Sequence, residues 1–93
     1  MPKTRMEYTW RAHRAYDEYI EIQKRITAIE VRAKQAHGAG VAAHRLRHAE
    51  EYWLYRDLVN DRRTQLEICH VNAVMAALPY QVDPVPPNLG MTE

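Results

Sequence analysis

The feature that most constrains the fold of this 93-residue chain is a run of apolar side chains spaced alternately four and three residues apart. The run comprises Tyr8, Ala12, Ala15, Tyr19, Ile22, Ile26, Ile29, Ala33 and Ala36. This spacing is the period of a coiled coil, because it keeps one narrow stripe of an α-helix facing a partner. The pattern predicts a long helix with a single packing seam.

Both ends of this helix carry sequence signals. Thr4 and Glu7 have the spacing of a capping box, in which each side chain accepts a backbone N–H left open at a helix start. Gly38 and Gly40 are the only glycines before residue 90, and glycine adopts the left-handed conformation that ends helices. We therefore expect a helix over about 5–37 and a tight reversal over 38–40.

A second helix is expected over about 41–78, since Pro79 cannot continue the hydrogen-bond ladder. Its apolar pattern is less regular. Leu46, Ala49 and Trp53 begin a seam, but the residues that follow are apolar on nearly every side, as in a helix that is buried all round. The polar stretch 60–65 leaves an alternative open, a helix break near 60–64.

The C-terminal segment 79–93 carries four prolines in nine residues and favours an extended, polyproline-like arm. The sequence thus predicts an all-α fold with residues 1–78 as a long antiparallel helical hairpin, coiled-coil-like, followed by the Pro-rich tail. Because so short a chain buries only a thin core, we expect the hairpin to complete a bundle by oligomerisation.

Composition narrows the class of protein. An apolar share of 46% and a net charge of +1 are typical of globular chains. The single cysteine, Cys69, excludes an intramolecular disulfide and a four-cysteine zinc site, which favours a reducing compartment. No apolar run approaches the roughly 18 residues of a membrane span. We expect a cytoplasmic protein with no membrane partner and no cofactor.

Charge is unevenly distributed along the chain. Residues 1–23 have net charge 0, residues 24–49 have +5 and residues 50–93 have −4. The basic side chains of the middle segment are Lys24, Arg25, Arg32, Lys34, Arg45 and Arg47. In a hairpin these residues form a basic tip, which would attract phosphate backbone or an acidic protein surface. The alternative is a solvated surface whose arginine stems cover the helix flanks.

Signals for chemistry are weak. His44 and His48 lie one helical turn apart, and Glu67 and His70 have the i, i+3 spacing used by carboxylate di-iron bundles, but the seam of the first helix offers no further inward-facing carboxylates. Cys69 lies in an apolar stretch, as a buried structural cysteine does. Phosphate-binding loops and nucleophile elbows are missing from the sequence. We therefore assign no metal ligands and no catalytic residues, and expect no enzyme.

Aromatic side chains indicate a partner instead. Trp, Tyr and Arg dominate interface hot spots, and a lone hairpin cannot cover every member of the cluster at residues 52–55. The candidate partner-binding residues are Trp10, Tyr52, Trp53, Tyr55 and Tyr80.

The function expected from these patterns is non-enzymatic, a protein–protein interaction or assembly role with itself or with a larger assembly. Arginine outnumbers lysine ten to three, a bias of GC-rich genomes, so a phage-encoded structural component or a small inhibitor of a host protein both fit, in a virion or the host cytosol. One alternative is nucleic-acid binding through the basic tip. A third is a metal-binding helical bundle.

Overall fold

The computed structural model describes residues 4–78 and 88–89. These residues form three helices and no strand, α1 (Arg5–His37), α2 (Ala42–Arg47) and α3 (Tyr52–Met75). The described part of the chain is therefore all-α, as the sequence indicated. The extended arm predicted over 79–93 lies outside the described residues except for Asn88 and Leu89.

The bounds of α1 follow from its caps. The Thr4 hydroxyl accepts a hydrogen bond from the Glu7 backbone N–H at 3.2 Å, which satisfies one of the open donors at the helix start. At the other end Gly38 adopts a φ of 83° and donates its N–H to the Lys34 carbonyl at 2.8 Å. A residue with a Cβ would be strained in this conformation, so glycine ends the helix here.

α3 packs along α1 in the opposite direction. Arg5 Nε donates to the Ala76 carbonyl at 2.9 Å, whereas the Tyr55 hydroxyl donates to the Glu30 carboxylate at 2.7 Å. The start of α1 therefore lies beside the end of α3, and contacting residue numbers rise on one helix as they fall on the other. The molecule measures 51 × 22 × 19 Å, close to the roughly 50 Å length of a 33-residue helix.

The single helix expected over 41–78 is wrong, because the chain is divided between α2 and α3 at residues 48–51. The division needs no glycine or proline, since His48 N–H bonds to the Arg45 carbonyl at 3.2 Å and Ala49 N–H bonds to the Leu46 carbonyl at 3.1 Å. These tight i→i−3 bonds satisfy the backbone while α2 turns its buried side of Ala42 and Leu46 onto α1. The stretch 60–64, where a break was the alternative, is continuous helix within α3.

The larger core side chains lie toward the end of the molecule that holds the turn. Buried residues of all three helices form this cluster, namely Ile26, Ile29, Ala33, Ala42, Leu46, Tyr55, Leu58 and Val59. At the opposite end the buried positions are mostly small: Ala12, Ala15, Cys69, Ala73 and Ala76. Small side chains fill little volume between the helices, and the larger apolar residues of that end, such as Trp10 and Val71, are exposed.

None of the described helices is both long enough and apolar enough to cross a membrane.

Candidate functional site

Exposed apolar side chains concentrate at the end of the molecule where α1 begins and α3 ends. The described residues expose ten large apolar side chains, and six of them lie there: Met6, Trp10, Ile68, Val71, Val74 and Met75. We call these six residues the apolar end. On α3 the spacings of three, four and seven residues place neighbours on adjacent turns, so the exposed side chains form one continuous strip. Contiguous apolar patches larger than a few hundred Å² mark interaction sites on soluble proteins.

A groove between α1 and α3 connects the two parts of the apolar end. It has a volume of about 440 Å³, and Trp10 of α1 and Ile68 of α3 lie on its opposite sides. Arg11, Arg14 and Glu18 also line it, so charges of both signs border the apolar surface. The Arg14 guanidinium lies 5.2 Å from the Trp10 ring centre, a cation–π distance, and the indole remains 58% exposed.

Trp53 and Leu54 form a second, smaller exposed pair near the start of α3. Trp53 is 66% exposed, and Arg56 lies over its ring at 5.8 Å, which repeats the arrangement of Trp10 with Arg14. The sequence placed Trp53 on the seam that begins at Leu46, and this is wrong. Because the chain changes direction between α2 and α3, the seam resumes at Tyr55 and leaves Trp53 on the outer side.

The other predicted contact residues have different positions. Tyr55 is wholly buried in the core of its own chain, so its assignment as a partner contact is wrong. Its ring faces α1 and its hydroxyl finds a partner in Glu30. Tyr52 is half-buried against the same core. Tyr80 lies outside the described residues.

The basic tip is less basic than the sequence indicated. Lys24 and Arg25 lie near the middle of α1, about 20 Å before its end at 1.5 Å per residue. The division after α2 also brings two glutamates to the turn. Residues 30–51 consequently carry four basic side chains (Arg32, Lys34, Arg45 and Arg47) and three carboxylates (Glu30, Glu50 and Glu51), for a net charge of +1. Arg32 lies 3.5 Å from one of these carboxylates, that of Glu51.

Potential metal ligands do not converge within the described residues. The rings of His44 and His48 are 4.5 Å apart between centres, yet no group of three His, Cys, Asp or Glu side chains surrounds a common point in residues 4–78 and 88–89. Glu67 and His70 both face outward from α3. Cys69 is buried, and this burial raises the pKa of its thiol because the charged thiolate would lose its hydration.

A third site, absent from the sequence predictions, holds the described part of the tail. The guanidinium of Arg62, which is only 4% exposed, donates to the Gln23 side-chain oxygen and, at 2.6 Å, to that of Asn88. The next backbone N–H, that of Leu89, donates to the Glu30 carboxylate at 2.6 Å, and the Leu89 side chain packs against the core. We call Gln23, Glu30 and Arg62 the tail-binding residues.

Comparison of the chain with known proteins gives no match. No protein-family model matches the chain. A search of curated proteins gives no match, and neither does a search of solved structures.

Proposed function

We propose that this chain is a non-enzymatic assembly protein that docks through its apolar end. The observation that carries the proposal is the placement of six exposed large apolar side chains on one end, beside an interior of alanines. Desolvating such a surface is the dominant favourable term in protein association. The patch includes Trp10, and tryptophan is one of the side chains enriched at interface hot spots.

The occupant that fits best is a second copy of the same chain. The C-terminal half of α3 carries four exposed apolar side chains on its outer side in addition to its apolar inner side, a pattern that favours cover from both directions. A twofold interface must be self-complementary, and the groove beside Trp10 carries both arginines and a glutamate along its border. Two antiparallel hairpins meeting in this way form a four-helix bundle.

Two tryptophans provide a matched pair for testing the proposal. Trp10 and Trp53 are both largely exposed. Each has the guanidinium of an arginine about one turn further on stacked near its ring. Replacing Trp10 with Ala is expected to weaken self-association by about 2 kcal/mol, or roughly 30-fold, as for other buried aromatic hot spots. Trp53→Ala removes the same side chain from the other exposed pair and should leave association unchanged.

The measurement is sedimentation velocity of the wild type and both variants over a range of concentrations, with circular dichroism to verify that each variant is folded. Equal weakening by the two substitutions would contradict docking through the apolar end. If only Trp53→Ala weakened self-association, the interface would be assigned to Trp53 and Leu54 instead.

Nucleic-acid binding through the turn end is the second candidate, and its support is the four basic side chains within residues 30–51. The three carboxylates of the same segment oppose it, because they repel phosphate. The two candidates differ in salt dependence. Phosphate binding weakens steeply as salt increases, whereas apolar docking does not.

A further inference from the structure

The tail-binding site contains a buried positive charge that its neighbours do not neutralise. Within residues 4–78 and 88–89, no carboxylate forms an ion pair with Arg62. Its two recorded hydrogen-bond acceptors are the neutral side-chain oxygens of Gln23 and Asn88. A buried charge without an opposite charge is costly, and a carboxylate is the acceptor that a guanidinium fork fits best.

Glu30 supplies the second half of the site. One of its carboxylate oxygens accepts both the Tyr55 hydroxyl and the Leu89 backbone N–H, so this glutamate is already engaged and does not reach Arg62. The Glu30 oxygen accepts a backbone N–H, a donor that every residue except proline offers. The adjacent apolar surface contacts the side chain of the same residue, which in this structure is Leu89.

Space beside Asn88 allows a different side chain at that position. A cavity of about 180 Å³ is bordered by Asn88 together with Val59, Arg62, Arg63 and Leu66. Arg63 thus adds a second positively charged side chain to the border of this cavity. An aspartate has nearly the same size as asparagine and would place a carboxylate oxygen where the Asn88 side-chain oxygen accepts from Arg62.

We propose that the tail-binding residues form a peptide-recognition site for a partner segment in which an aspartate precedes a leucine, and that Asn88–Leu89 is the resident occupant which such a segment displaces. The aspartate binds Arg62, the leucine N–H binds Glu30, and the leucine side chain enters the core surface. The chain's own tail carries the neutral amide and holds the site more weakly than the charged ligand. This site is separate from the apolar end and does not rest on the assembly role.

The test uses the full-length chain carrying Leu89→Ala, which weakens the resident occupant, and two fluorescent peptides. One peptide has the sequence of residues 84–93, and the other is the same peptide with Asn88→Asp. Fluorescence anisotropy measures the Kd of each. The Asp peptide should bind about tenfold more tightly, because its carboxylate adds the attraction between opposite charges and offers the guanidinium fork two acceptor oxygens. The preference should decrease with added salt.

Two further variants assign the preference to the buried guanidinium. Arg62→Met fills a similar volume without charge and should abolish the difference between the peptides, and Arg62→Lys, which keeps a charge but loses the fork, should reduce it. Arg56→Met makes the same change at an exposed position of α3 and should leave both Kd values unaltered. The proposal is overturned if the peptides bind equally, if neither binds the Leu89→Ala chain, or if the preference survives Arg62→Met.

Discussion

The hydrogen bond between Tyr55 and Glu30 links the core to the tail segment. Removing the Tyr55 hydroxyl measures how much this bond contributes to the free energy of unfolding. Tyr55→Phe keeps the buried ring and deletes the hydroxyl that donates to Glu30 at 2.7 Å. Hydrogen bonds to charged groups contribute about 1.5–3 kcal/mol. Glu30 is half-buried and retains the Leu89 N–H, so the lower end of the range applies. We expect the free energy of unfolding to fall by about 1.5 kcal/mol, which lowers Tm by roughly 6–12 °C in a domain of this size.

Tyr19 offers the matched control. It is 6% exposed, and its hydroxyl makes no hydrogen bond to another described residue; since no buried side-chain polar atom of those residues lacks a partner, this hydroxyl is accessible to water. Tyr19→Phe should therefore change the free energy of unfolding by less than about 0.5 kcal/mol. Urea denaturation followed by circular dichroism measures both variants. An equal effect of the two substitutions would refute the assignment of a stabilising bond to Tyr55 and Glu30.

Three further predictions concern the turn, the thiol and the tail. Gly38→Ala should destabilise the chain by about 1–3 kcal/mol, because its φ of 83° and ψ of 151° strain any side chain, whereas Gly40→Ala, equally free of neighbours within 4 Å, should be neutral or stabilising in the same urea titration. Cys69 should react with a thiol reagent far more slowly in the folded chain than in urea. Because burial raises its pKa, the folded state holds this proton more tightly, and the free energy of unfolding should fall as pH rises from the ordinary thiol pKa toward the raised one. Leu89→Ala should cost about 1–2 kcal/mol because Leu89 packs on the core, while the exposed Leu54→Ala should cost less than about 0.5 kcal/mol.

Local signals explain why α1 could be predicted closely. Its start depends on Thr4 and its end on Gly38, and both act through hydrogen bonds to residues three or four positions away. Six of the nine seam residues are buried, because a regular period defines one face whatever packs against it. Ala36, the last of the nine, is exposed since the chain has begun to turn away.

The division between α2 and α3 could not be predicted in the same way. The usual helix-breaking residues are absent from 48–51, and the backbone there is satisfied by tight turns that almost any residue can make. The cause is tertiary, because Ala42 and Leu46 reach α1 only if α2 leaves the line of α3. Secondary structure set by such contacts has no local signature.

One signal for the tail-binding site was present in the sequence. The buried face of α3 follows the same alternation of four and three residues as α1, through Tyr55, Val59, Arg62, Leu66, Cys69, Ala73 and Ala76. An arginine in the middle of an apolar seam indicates a buried charge that needs acceptors. Its acceptors come from α1 and from a segment 26 residues further along the chain, so their identity required the fold.

The fluorescence of Trp10 reports whether the apolar end is the surface buried on assembly. In full-length Trp53→Phe, Trp10 is the only tryptophan, and its emission maximum reports whether the indole is in water. Docking of a second copy predicts a shift to shorter wavelength as concentration increases, in step with the rise in molar mass from 10.9 kDa toward twice that value. The reciprocal Trp10→Phe chain, which retains Trp53, should show no shift. An emission maximum of Trp10 that stays constant while the molar mass doubles would contradict docking through the apolar end.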